Sequence, residues 1–97
     1  MDNDLNFETY LLISENKLTI YVNSDRIKNK QGYVYYWQIA NYKKTNSQGI
    51  SSAKVFYQAD CSLLSYKILN DYYYKASMAQ GDYFMSSDEP DKEWTYA

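Results

Sequence analysis

Apolar positions along this chain come in short runs with a period of two, the spacing that sets alternate side chains on opposite sides of an extended strand. Leu18, Ile20 and Val22 alternate with Thr19 and Tyr21, which predicts a half-buried strand. Ala53, Val55, Tyr57, Ala59 and Cys61 alternate with Lys54, Phe56, Gln58 and Asp60, which predicts another over residues 51–61. The longest strand-forming run is residues 33–43. There Tyr33, Tyr35, Trp37 and Ile39 share one side, and Val34, Tyr36, Ala40 and Tyr42 share the other. A strand that is apolar or aromatic on both sides belongs in the middle of its sheet, covered in part on both faces.

The remaining segments fit around these strands. Phe7 to Ile13 reads as a first strand with imperfect alternation, and Ser14-Glu15-Asn16-Lys17 as the turn of a hairpin into Leu18. Asn23 to Gly32 is a polar connector: Asn23, Ser24 or Asp25 would cap one short helical turn, Ile27 would anchor it to the core, and Gly32 would supply the turn before Tyr33. Residues 43–49 form a soluble loop without phosphate-loop spacing. Leu63–Leu69 follows as a strand after a tight link at Ser62, with Leu64, Tyr66 and Ile68 on one side and Cys61 near the hairpin turn. Asn70-Asp71 predicts a bulge or bend before Tyr72-Tyr73-Tyr74. Ala76 to Gly81 reads as a loop or a single helical turn, Tyr83-Phe84-Met85 as a brief pairing, Ser86–Asp91 as turn, and Glu93–Tyr96 as a short last strand. The fold class is mainly β: a single curved antiparallel sheet of about six strands with at most short helical turns. Residues 1–97 make one domain, in which residues 1–6 fray.

Composition sharpens this picture in two ways. The chain holds 13 Tyr, a residue whose apolar ring and wet hydroxyl suit half-buried sheet positions and contact surfaces. The net charge of −2 hides a segregation. Asp2, Asp4, Glu8 and Glu15 face only Lys17 at the start, and Asp82, Asp88, Glu89, Asp91 and Glu93 face only Lys92 at the end. Between them lie Arg26, Lys28, Lys30, Lys43, Lys44, Lys54, Lys67 and Lys75. Acidic ends around a basic middle predict solvated faces with partial internal pairing. No Arg-rich or Gly-aromatic motif accompanies the basic segment, so nucleic acid is not an expected partner. No apolar run approaches transmembrane length, so no transmembrane segment is expected, and the acidic first residues lack the apolar stretch of a signal peptide. Met1 reads as the native start of a cytoplasmic protein or as a start replacing a removed leader; the second reading places the protein in the periplasm or at the cell surface.

Catalytic chemistry finds little material. There is no histidine, the commonest general base and transition-metal ligand. Cys61 is a lone cysteine beside Asp60, whose charge would disfavour a thiolate, so it reads as buried or as paired outside this chain. Asp88-Glu89 and Asp91-x-Glu93 lack calcium-loop spacing and read as a solvated turn around Pro90. No enzyme, metal site or cofactor is expected. In a strand, Tyr72 and Tyr74 point one way and Tyr73 the other, so the triplet presents a ring to solvent near Lys67 and Lys75, as protein interfaces often do.

Taken in order, Ile13-Ser14-Glu15-Asn16, Tyr21–Ile27, Gly32–Trp37, Ser52–Cys61, Tyr66–Leu69 and Glu93–Tyr96 resemble the bacterial surface-adhesin protein E-like family across residues 10–96. The resemblance implies a small exported or lipid-anchored protein of about six antiparallel strands, with a C-terminal helix on the concave face. It also implies a disulfide from the position of Cys61 to a cysteine in that helix, and binding of host extracellular proteins. The leader, the Pro-rich segment, the helix and its cysteine have no counterpart in this sequence, leaving Cys61 unpaired.

The function expected is therefore a non-enzymatic protein-binding module that recognises a protein partner through an aromatic sheet face and a basic segment. Arg26, Lys28, Lys30, Tyr35, Trp37, Tyr72, Tyr73 and Tyr74 form its contact set. An uncovered aromatic face predicts a homodimer or a hetero-complex with another protein. The alternative is a small acidic cytosolic inhibitor or immunity-type protein, of mobile-element or phage origin, that blocks an enzyme by surface complementarity.

Overall fold

In a computed structural model of the chain, residues 11–14, 18–23 and 26–96 are described, the first four as backbone alone. The expected strand before Leu11, the turn at residues 15–17, the Ser24-Asp25 cap and the fraying of residues 1–6 lie outside them.

Strands form where the β-branched and aromatic runs lie: β1 (Leu11–Ser14), β2 (Leu18–Val22), β3 (Lys28–Lys30), β4 (Tyr33–Tyr42), β5 (Ser52–Asp60), β6 (Ser65–Tyr74), β7 (Tyr83–Ser87) and β8 (Thr95–Tyr96). They build one antiparallel sheet with the main order β1-β2-β4-β5-β6-β7, so β4 is interior. β3 pairs with β4 and β8 with β6. Because β5 takes one edge of β4 along most of its length, β2 and β3 share the other: Asn23 N–H still donates to Trp37 O at 3.1 Å, and β3 resumes the ladder at Tyr35. The outer edge of β6 is divided in the same manner between β7 and β8. Asp91 closes the gap there, its N–H donating to Ile68 O and its Oδ2 accepting from Ile68 N–H, both at 2.9 Å.

Three details differ from the expectations above. The Asn23–Gly32 connector has its expected short turn, with Arg26 N–H donating to Asn23 O, but Lys28–Lys30 within it runs extended as β3. Lying along an edge instead of in a helical turn, Ile27 turns to solvent at 45% exposure and anchors nothing. Gln31 and Gly32, at φ 54° and 86°, make the two-residue hairpin turn whose left-handed backbone matches strand twist. The β5–β6 link is longer than one residue. Asp60 Oδ1 accepts from Ser62 N–H, Ser62 Oγ–H and Leu63 N–H, pulling Cys61–Leu64 into a turn that delays β6 to Ser65. Cys61 is an exposed free thiol there, not a buried one. The bulge falls at Leu69, between the pairs Tyr57↔Ile68 and Phe56↔Asn70, and β6 runs on unbroken to Tyr74.

The register sorts side chains onto two faces. Val22, Val34, Tyr36, Gln38, Ala53, Val55, Tyr57, Tyr66 and Tyr73 share one, the tyrosine face. Val22, Ala53 and Val55 are buried on it. Tyr36 stacks on Tyr57, Tyr66 meets Tyr57 edge-on, and Gln38 Nε2 donates to the Tyr57 hydroxyl at 3.3 Å. Burial, reinforced by the neighbouring phenols, pushes the Tyr57 hydroxyl up to about 12. Burial also raises Tyr36, and raises Tyr73 with help from the adjacent Asp71 carboxylate.

The opposite face has its core at one end, where buried Ile39 and Tyr74 lie under Ala79. The cover is a single 3-10 turn, Ser77–Ala79, in which Met78 (φ 56°) and Ala79 (φ 54°) adopt left-handed backbone. Non-glycine residues hold that conformation only when surrounded by compensating contacts. Here the sheet provides them. Ser52 Oγ donates to Ala76 O (2.6 Å) and accepts from Ala79 N–H (2.9 Å), while Asn41 Oδ1 accepts from Met78 N–H (2.7 Å).

Ser52 is fully buried, so Ser52→Ala strands a buried donor at Ala79 and should destabilise the fold by about 1–3 kcal/mol in urea denaturation. Leu64, held at φ 52° with its side chain 67% exposed, gives the opposite expectation: Leu64→Gly should stabilise by about 1 kcal/mol, and a loss would mean that the side chain packs. The raised tyrosines set a pH dependence. Unfolded, Tyr57 ionises near pH 10; folded, it keeps its proton until about 12, so its contribution is complete below pH 10 and is lost as pH rises through that window. The denaturation midpoint should fall between pH 9.5 and about 12, and Tyr57→Phe should flatten that fall.

Candidate functional site

The second face, beyond the 77–79 turn, is where lysines and aromatic rings meet. Alternation along β4 puts Tyr33, Tyr35 and Trp37 there, and the β5 register puts Lys54, Phe56 and Gln58 beside them. Phe56 packs on Trp37 with ring centroids 4.8 Å apart and on Tyr35 at 6.2 Å. The Tyr35 hydroxyl accepts from Gln58 Nε2 at 3.1 Å. Trp37 and Tyr72, 6.2 Å apart, both lie beneath the ammonium of Lys54, at 5.3 and 5.2 Å. This places a nearly buried cation between two ring faces, where cation–π attraction offsets part of its lost hydration. Tyr83 of β7 extends the row from Tyr72, 5.1 Å away.

A second group forms at the other end of this face. Trp94, just before β8, stacks on Tyr33 at 5.5 Å, and Lys67 of β6 lies 5.0 Å over the indole. Trp94 thereby finds cover, whereas Tyr96 remains exposed. On β3, Lys28 and Lys30 pair opposite Tyr35 and Tyr33 of β4, so both lysines stand exposed on the rim of the ring row.

Of the expected contact set, Lys28, Lys30, Tyr35, Trp37 and Tyr72 come together on this face, with Arg26 exposed just ahead of β3. Tyr73 lies on the tyrosine face, hydrogen-bonded to Asp71 Oδ2 at 3.2 Å. Tyr74 is 4% exposed under the 77–79 turn and is part of the core. Tyr33, Lys54, Phe56, Lys67 and Trp94 were missed as site residues. The antiphase alternation of β5 was the signal for Lys54 and Phe56; nothing local in the sequence announces that Trp94 reaches Tyr33.

Among the described residues of β2–β6, the register brings Lys28, Lys30, Lys54 and Lys67 to this face. The carboxylate that alternation brings to it from β2–β6 is Asp60, and its Oδ1 is turned into the β5–β6 turn, where the Ser62 hydroxyl and the backbone hold the carboxyl below its ordinary value. Among the described residues no cluster of three His, Cys, Asp or Glu converges as a metal site, and no helix is long and apolar enough to cross a membrane. What this arrangement offers is a contact surface: stacked rings, a hydrogen-bonding amide and a rim of ammonium groups.

Neither a curated protein nor a solved structure gives a significant match to this chain. A family model does, over residues 9–97, and that span takes in both ring groups and the strands that align them. The chain belongs to the surface-adhesin protein E family.

Proposed function

We propose that this protein is a non-enzymatic adhesin-type module, working at the cell surface or in the periplasm, that binds another protein through its lysine–aromatic face. The observation that carries the reading is the placement of Lys28 and Lys30 directly across from Tyr35 and Tyr33, beside Trp37 and Phe56. Aromatic rings provide large contact area at small entropic cost, and exposed cations at the rim steer and orient a partner. Family membership supports the adhesin class. The tyrosine face fits the role less well: Val22, Ala53 and Val55 are already buried there.

Solid-phase binding to a panel of immobilised extracellular proteins tests the proposal. The wild-type protein should bind at least one of them. Lys28→Glu with Lys30→Glu should weaken that binding about tenfold or more, these being exposed edge positions whose exchange leaves the core intact. Tyr66→Ser on the opposite face should leave it unchanged. The reverse pattern would assign binding to the tyrosine face and overturn the proposal. Light scattering on the same samples separates capture of a partner from formation of a homodimer.

A further inference from the structure

Trp94 brings a terminal segment of the chain onto the lysine–aromatic face. Residues 88–96 contain Asp88, Glu89, Asp91, Glu93, Trp94 and Tyr96, and they follow the outer edge of β6 with a bend at Lys92-Glu93. They hold on through the Asp91 pair of hydrogen bonds to Ile68, through Thr95 and Tyr96 in the ladder, and through Trp94 on the face itself. The indole lies against Tyr33 and beneath Lys67, an aromatic side chain from an acidic strand set between a ring and an ammonium group. Its neighbours in the strap are exposed.

The ring row runs back from Tyr33 along β4 and β5, beside the strap and separated from it by β6. From Tyr33 the face proceeds to Tyr35, Phe56 and Trp37, with Lys30 and Lys28 along the rim. We infer that this stretch binds an extended acidic segment bearing an aromatic residue, supplied by a partner protein, and that Trp94 occupies one end of that site in cis. The inference rests on the proposed module and specifies its ligand. Charge complementarity selects the ligand's sign: the exposed ammonium groups of Lys28 and Lys30 line the rim, and they outnumber the carboxylate, Asp60, that the register of β2–β6 puts on this face. The flat row of rings selects an extended aromatic-bearing chain.

Fluorescence anisotropy supplies the test, using a labelled synthetic peptide with the sequence of residues 88–96 added in trans to the full chain. The peptide should bind, and a version with its acids replaced by their amides should bind at least about tenfold more weakly. Raising salt from about 50 to 300 mM should also weaken binding several-fold, because exposed charge pairs are screened over such distances. Lys28→Glu with Lys30→Glu should abolish it. Trp94→Ala, with its fold checked by circular dichroism, should strengthen trans binding, since the competing indole leaves Tyr33. A merely structural Trp94 would weaken binding or leave it unchanged.

No binding at about 1 mM peptide, a dissociation constant at the weak end of measurable association, overturns the inference. Equal binding of the amide peptide overturns it too, as does tighter binding of a heparin-derived oligosaccharide, which would make the face a reader of anionic glycans. If the peptide fails while panel binding still depends on Lys28 and Lys30, the module reading stands and only the acidic ligand falls. If panel binding ignores those lysines as well, both fall.

Discussion

Everything on the two faces depends on the register of β4 against β5. Trp37 is set opposite Phe56 and, one residue away on the other side, Tyr36 opposite Tyr57. Tyr36 and Tyr57 stack and Trp37 packs tilted on Phe56, so the same ladder is locked from above and below by rings. A slip of one residue would carry Lys54 and Phe56 to the tyrosine face and put Val55 and Tyr57 in their place. The Lys54 ammonium would then lose both rings that shelter it, and buried Val55 would move to the lysine-bearing side. Structural stability and the chemistry of the candidate site thus depend on one alignment.

The second constraint is the thinness of the core. The buried apolar side chains among the described residues are few and mostly small or β-branched, with Tyr74 the large exception. A sheet of this kind must stabilise itself through half-buried rings, which explains the use of 13 Tyr: each contributes area without requiring complete burial of its hydroxyl. Over Ile39 and Tyr74 the cover comes from a turn with left-handed backbone at Met78 and Ala79. Asn41 and Ser52 hold it through the sheet's own side chains. The polar residues that interrupt the apolar pattern of β4 and begin β5 are thereby the clamp for the lid over Ile39 and Tyr74.

Much of this was legible in advance, because period-two alternation reports face directly. The interior position of Tyr33–Tyr42, the two sides of β5 and the opposed direction of Tyr73 all follow from counting by two. The gathering of Lys28, Lys30, Tyr35, Trp37 and Tyr72 needed the pairing as well. The misses share a cause. Lys28-Asn29-Lys30 has no apolar residue to mark a strand, and it becomes one because a two-residue turn folds it back on β4. Ile27 looked like an anchor because sequence reports hydrophobicity but not which edge is uncovered. Tyr74 looked like a contact residue because its cover, at 77–79, depends on hydrogen bonds to residues 37 and 27 positions distant from those they bind.

Trp94 shows how far such distant contacts reach. It leaves the edge of β6, yet its ring partner is on β4, with the end of β5 between them. In the β5–β6 turn, Asp60 Oδ1 is held by Ser62 and Leu63. Lys67 of β6 covers the indole. The terminal strap consequently closes one end of the ring row while Asp91 completes the backbone ladder that β7 and β8 leave open. An edge otherwise exposed to indiscriminate strand pairing is satisfied by the chain's own residues, while Lys28 and Lys30 rim the ring row on its opposite side.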